Sequence, residues 1–218
     1  MRATPVARPV LAAFAAGLAL SVTTVRAQDR DVARLEPGRL LYAIPGLPDP
    51  NFAESVVLLV RREAQGTTGL IVNLPTLATV GQALPALDGL PGSRLPVYRG
   101  GPVQTTSILF LVRSKSRLAK LTPIGGDVYL GSRSGDLREA LARRDAPENV
   151  RVFAGYAGWT RSQLETELQR GGWVVGALDP QAAFSAEPES LWPRVHSLLK
   201  KIQAHVAFPG DSQGLGVD

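Results

Sequence analysis

The residue types that carry most protein chemistry are scarce in this chain. Cysteine is absent, which removes disulfides, thiolate nucleophiles and sulfur ligands. The two histidines, His196 and His205, stand nine residues apart near the C-terminal end, so without cysteine a multi-histidine metal site cannot be built. A Ser-His-Asp hydrolase needs serine on a sharp strand-to-helix turn. In Gly131-Ser132-Arg133-Ser134-Gly135 arginine takes the nucleophile's place. Glu165 and Glu167 are two apart on a helical stretch and point in different directions, so they do not form a carboxylate pair. Neither a Walker phosphate loop nor a G-x-G-x-x-G turn after a strand is present, and Gly100-Gly101 before Pro102 reads as a bend between strands. No cofactor and no metal are expected. A weak hydrolase using serine or a carboxylate stays as an alternative, and it requires a pocket containing His196.

The elements that would position a site are easier to read. Val152 to Tyr156 alternates as a mostly apolar strand, Thr160 with Gln163 forms a capping-box start, and Leu164 and Leu168 share one face of the helix that follows. Gly171-Gly172 ends that helix where a positive φ is wanted, and Trp173 to Gly176 returns as a strand. Earlier, Leu40 to Ile44 is a short strand. Pro45, Pro48 and Pro50 stiffen the loop Pro45 to Asn51, with Phe52 placed to pack beneath it. Ser55 to Val60 and Gly69 to Asn73 are apolar on both faces and pair most simply as an antiparallel hairpin, with a polar connection over Arg61 to Thr68. Thr79 with Gln82 caps a short helix ending near Pro85. Ile108 to Val112 and Val128 to Leu130 are strands, Ser134 can cap a helix through Arg143, and a last helix runs from about Pro188 to Gln203.

Four stretches taken in order, PGLPDPNFAESVVLL, GLIVNLP, RGGPV and GYAGWTRSQLETEL, resemble the YqgE/AlgH family over about Gly38 to Lys200. The resemblance implies an α+β fold: a bent, branched mixed β-sheet forming a pseudo-barrel with flanking short helices. It implies little about activity, because the family is largely uncharacterised and is named for a link to transcriptional control. This chain departs from the family pattern in two places. It has Asn73-Leu74-Pro75 where N-R-P is usual, and Thr105, Thr106 and Ser107 follow the GGPV motif where charged residues are usual. The motifs are expected to converge on one ligand or partner surface made of Asp49, Asn51, Phe52, Asn73, Tyr156, Trp159 and Gln163. Each residue also has a structural reading, as a turn cap, a backbone partner or core filling.

The N-terminal 27 residues have the form of an export signal. Arg2 and Arg8 precede an apolar run from Val10 to Val22, and Val25-Arg26-Ala27 offers a cleavage site. The expected organisation is a signal peptide over 1–27, a flexible lead over 28–37, one domain over 38–205 and a disordered tail over 206–218. Cleavage after Ala27 leaves 191 residues without a membrane span, with 21 basic against 19 acidic side chains. A domain of that size buries about 70% of its unfolded surface. The near-neutral balance argues against nucleic acid. The cluster Arg113, Lys115, Arg117 and Lys120 lacks interleaved aromatics and reads as a solvated loop before it reads as a phosphate site. The expected protein is therefore a non-catalytic accessory or regulatory binding protein of the periplasm, with an unknown protein or small ligand as its partner. The alternative is a cytoplasmic, transcription-linked regulator.

Overall fold

The structure, a computed structural model, describes residues 35–207. Its ten strands are β1 (Arg39–Ala43), β2 (Val56–Arg62), β3 (Gly66–Ile71), β4 (Pro75–Thr79), β5 (Pro96–Arg99), β6 (Val103–Arg113), β7 (Thr122–Gly125), β8 (Val128–Gly131), β9 (Val150–Thr160) and β10 (Trp173–Leu178). The helices are short: α1 (Val80–Ala83), α2 (Ser134–Leu141), α3 (Ala146–Asn149) and α4 (Arg161–Gln169), with a longer α5 (Leu191–Ala207). This is an α+β domain built on one sheet.

The sheet runs β10-β1-β2-β3-β9-β6-β8-β7, and β5 and β4 lie off that path. It branches at β9, which is long enough to serve two neighbours on one edge. Val152 to Ala154 pairs in parallel with β5, and Ala157 to Thr160 pairs antiparallel with β3. The other edge of β9 carries β6. The sheet also curls until its far strands approach each other. A Cβ on Gly38, just before β1, would fall 2.6 Å from the Ile124 carbonyl oxygen of β7, so this contact requires glycine. The result is a half-barrel.

Period-two alternation sends apolar residues to both faces of the sheet, where they gather in clusters. Leu58, Leu70, Leu111, Val128 and Phe153 fill the concave side. Phe184 and Trp192 of the C-terminal segment join that core, and the Trp192 indole donates to the Ala43 carbonyl at 2.7 Å. On the other face Phe110, Val112, Val150 and Val152 pack under Leu137 and Leu141 of α2 and Val80 of α1. Burying a side chain of this kind contributes about 1.5–3 kcal/mol relative to leaving it exposed.

Most of the expected elements are present, some with changed limits. The β2–β3 hairpin forms, but both strands reach into the polar stretch, leaving only Glu63 to Gln65 as the turn. Thr79 and Gln82 make the full reciprocal capping box of α1. Thr160 accepts the Gln163 N–H at 3.2 Å, but the Gln163 side chain turns to Glu167, so only half of the second box forms. Ser134 is the first residue of α2 and not its cap; that position falls to Arg133, whose side chain makes no capping bond. Gly171 and Gly172 close α4 with paired bonds to the Leu168 and Glu167 carbonyls, and φ is +72° at Gly171. The leader over 1–27 and nearly all of the tail lie outside the described residues, while Leu35 of the expected lead is buried.

Candidate functional site

The sequence-predicted surface separates into three places. The first is an aromatic cluster. Phe52 is buried, stacks on Trp159 with ring centroids 5.4 Å apart, and meets Trp173 edge-on at 5.5 Å. Both indoles donate to one oxygen of Glu167, Trp159 at 3.0 Å and Trp173 at 2.8 Å, while Gln163 donates to its other oxygen at 3.0 Å. The glutamate that spacing alone dismissed as a catalytic partner is thus the polar hub of this cluster. Phe52, Trp159 and Gln163 hold α4 against the sheet through it, and Trp173 and Glu167 are the members that sequence reasoning missed.

The second place is the proline-stiffened loop. Asp49 accepts both the backbone N–H of Asn51 at 2.9 Å and its side-chain amide at 3.0 Å, an Asx turn on an exposed loop. Asn73 is buried: its oxygen accepts the Val56 N–H at 2.7 Å and its amide donates to the Glu54 carbonyl at 2.9 Å. Glu54 has φ +54°, costly for any residue with a Cβ. Asn73 fixes that turn in place. These contacts support the structural reading for Asp49, Asn51 and Asn73.

The third place is around Tyr156, and here the backbone is irregular on both sides. Between the pairs Val103–Tyr156 and Ile108–Ala154, β6 spends more residues than β9, so Gln104 to Ser107 bulge out of the ladder. Gln104 has φ +45° and Gly155 has φ +70°. A Cβ on Gly155 would lie 2.6 Å from the Gly101 carbonyl oxygen, and one on Gly101 would lie 2.2 Å from the Tyr156 carbonyl carbon. The GGPV and GYAGW motifs therefore meet because only glycine permits this backbone approach.

The bulge opens a pocket of about 380 Å³ at the rim of the half-barrel. Its floor is Leu109 and Leu130, both packed in the concave core. Apart from Ile108 the rest of its lining carries polar groups: Gln104, Ser107, Ser132, Arg61, Thr68 and half-buried Tyr156. A second hollow of about 400 Å³ shares Arg61, Thr68 and Tyr156 and runs on toward Gln163. Arg61 and Thr68 are direct cross-strand partners, and Thr68 pairs in turn with Gly158, which has no side chain to fill the trough. Tyr156 lines both hollows, and Trp159 and Gln163 line the second. An apolar floor under convergent polar groups at a barrel mouth is the usual form of a small-ligand pocket. Arg61, Thr68, Gln104, Ser107 and Ser132 were missed by sequence reasoning. The only sequence signal was the polar run QTTS inside an apolar strand.

The remaining polar clusters are engaged locally. Arg113 donates to Asn149 at 2.9 Å and lies over the Phe184 ring, and Lys120 pairs with Glu139 at 3.0 Å. The hydrogen bond from Arg143 holds the Asp145 carboxyl below its usual range. Arg151, buried beside Phe184, donates to the Pro147, Val150 and Phe184 carbonyls. Burial, the largest influence, pushes the Tyr98 phenol above 10.0, while Arg151 pulls it down. His196 packs against Trp192 with ring centroids 4.8 Å apart. Among the described residues no three His, Cys, Asp or Glu side chains cluster as metal ligands, and no helix is long and apolar enough to cross a membrane.

The branched, curled sheet with a polar pocket at its rim defines an α+β half-barrel domain. The sequence profile of the AlgH-like family matches residues 40–203, and the chain belongs to that family. It is 39% identical over 178 residues to a UPF0301 protein of Streptomyces coelicolor, covering 80% of this chain and 92% of that protein. It is 34% identical over 157 residues to one from Thioalkalivibrio sulfidiphilus, covering 71% and 84%. The solution structure of the AlgH protein from Pseudomonas aeruginosa superposes with a TM-score of 0.62 at 29% identity, covering 80% of this chain and 94% of that one.

Proposed function

We propose that this domain acts by binding, without catalysis, and that it receives a small ligand in the rim pocket beside Tyr156. The observation that carries this reading is the pocket itself, where a β6 bulge with a left-handed Gln104 brings Gln104 and Ser107 into one lining with Leu109 and Leu130. Irregular backbone of this kind is costly and clusters at functional sites. The hydrolase alternative is less favoured: the His196 ring packs on Trp192 and its Nε2 is buried without a hydrogen-bond partner. Of the earlier surface, Asp49, Asn51, Phe52 and Asn73 become the scaffold behind the pocket, while Tyr156, Trp159 and Gln163 line the hollow beside it.

The proposed setting is the periplasm, after removal of residues 1–27. It is supported by Arg2, Arg8, the apolar run from Val10 to Val22 and Ala27, all upstream of the family match that begins at residue 40. The cytoplasmic, transcription-linked alternative rests on the family resemblance alone. N-terminal sequencing of the protein from fractionated cells separates the two: a start at Gln28 in the exported fraction supports the first, and an intact Met1 start in the cytosol supports the second. The binding reading is tested by NMR of the isotope-labelled full chain against a neutral and charged fragment library. Shifts gathered at Thr68, Gln104, Ser107 and Tyr156 support it. Shifts gathered in the separate groove between Leu84 and Arg138 would contradict it.

A further inference from the structure

We infer that the ligand of the rim pocket carries an anionic group, a carboxylate or a phosphate, and that Arg61 receives it. The inference rests on the proposed binding function of that pocket. Arg61 is the one cation among the residues that line either hollow, and it stands where the two meet. Its position is fixed by the ladder, since it pairs across β2–β3 with Thr68, whose row continues to Gly158. The guanidinium therefore sits beside a hydroxyl-bearing residue and an open trough. Arg61 pairs with Glu63 at 3.7 Å, at the long end of the range, with side-chain exposures of 48% and 59%. A pairing that loose is weak in water. It leaves the guanidinium free to turn toward a ligand and make the bidentate contact that planar oxyanions favour. Ser107 donates to the Gln104 amide oxygen at 3.1 Å, which leaves the Gln104 N–H groups and the Ser132 hydroxyl in the lining to meet hydroxyls on the ligand's body, and Tyr156 presents a ring in the same pocket. In the pocket proper no carboxylate opposes the anion. Glu63 lies only on the side of the second hollow.

The test uses three small probes on the full-length chain at low ionic strength: glycerol 3-phosphate, glycerate, and glycerol as the neutral counterpart. Binding is followed by NMR shifts at Thr68, Gln104 and Tyr156. The expected result is saturable binding of at least one anion, weakened about tenfold or more by Arg61→Gln and weakened by added salt, with glycerol far weaker. The stronger of the two anions identifies the source as phosphate or carboxylate. Glu63→Gln, which keeps Arg61 and removes its competitor, is expected to tighten anion binding roughly two- to fivefold. Glycerol binding as tightly as the anions, or Arg61→Gln binding them unchanged, overturns the anion assignment and leaves the pocket reading standing. Failure of both anions to perturb these residues overturns it as well. The pocket reading then falls only if neutral fragments also fail there.

Discussion

The carboxylate of Glu167 accepts the indole N–H of Trp159 at 3.0 Å, across the junction between α4 and the end of β9. The same oxygen takes Trp173 at 2.8 Å. Both tryptophans are about 4% exposed, so neither N–H has a ready partner in water. Glu167→Ala leaves two buried donors unpaired and is expected to cost about 2–4 kcal/mol. Urea unfolding measures the loss, and a changed native tryptophan fluorescence spectrum locates it. A cost below about 0.5 kcal/mol would show that the hub is decorative.

The glycines of the two central motifs predict a graded series. A Cβ at Gly101 would fall 2.2 Å from Tyr156 backbone, whereas one at Gly46, with φ +74°, meets nothing within 4 Å. Gly46→Ala therefore costs only the backbone strain, about 1–2 kcal/mol. Gly101→Ala also forces β5, β6 and β9 apart and should cost about 3 kcal/mol or more. Thermal unfolding of the two variants side by side checks the ordering, and equal losses would refute the close-approach account.

Asn73 and Glu54 predict opposite signs. Asn73→Ala strands the Val56 N–H, at 0% exposure, and frees the Glu54 carbonyl, a loss of about 2–3 kcal/mol. Glu54→Gly relieves the left-handed φ and is expected to stabilise by about 0.5 kcal/mol. Denaturant midpoints of both variants test the pair.

Stability should fall in alkali because of the buried phenols. Burial raises both Tyr98 and Tyr42 above 10.0, with Asp179 adding to the rise at Tyr42. A phenol whose folded value is raised contributes its stability fully below the unfolded value of about 10 and loses it as pH climbs through the folded value. Tyr98→Phe should flatten that decline. Unfolding free energies measured from neutral pH to above pH 10 in both proteins show whether it does.

The sequence made the scaffold readable because its signals are local. Thr79 with Gln82, Leu164 with Leu168, and Gly171-Gly172 each act within a few residues, and each falls where expected. The family motifs likewise pointed to the right fold. The elements that escaped notice are those whose reason is distant. β4 and β7 each contain a proline, and Leu77 of β4 is fully exposed, so neither strand announces itself by alternation. The pocket was harder still. Arg61 and Ser132 are joined only by the curl of the sheet, and the bulge at Gln104 appears only when β6 is counted against β9. Trp159, expected at the surface, is 4% exposed in the aromatic cluster and still lines the second hollow.

The account stands most directly on whether the rim pocket is where ligands enter. Ser107→Trp places a large side chain in that pocket from the bulge, away from the aromatic cluster. Thermal shifts of the wild-type chain and this variant would be measured against the same library of small polar molecules. A ligand held at about 100 times its Kd adds about 2.7 kcal/mol and raises Tm by several degrees. The account predicts that compounds stabilising the wild type leave Ser107→Trp unmoved. The same compounds stabilising both proteins equally would place the binding site elsewhere and contradict it.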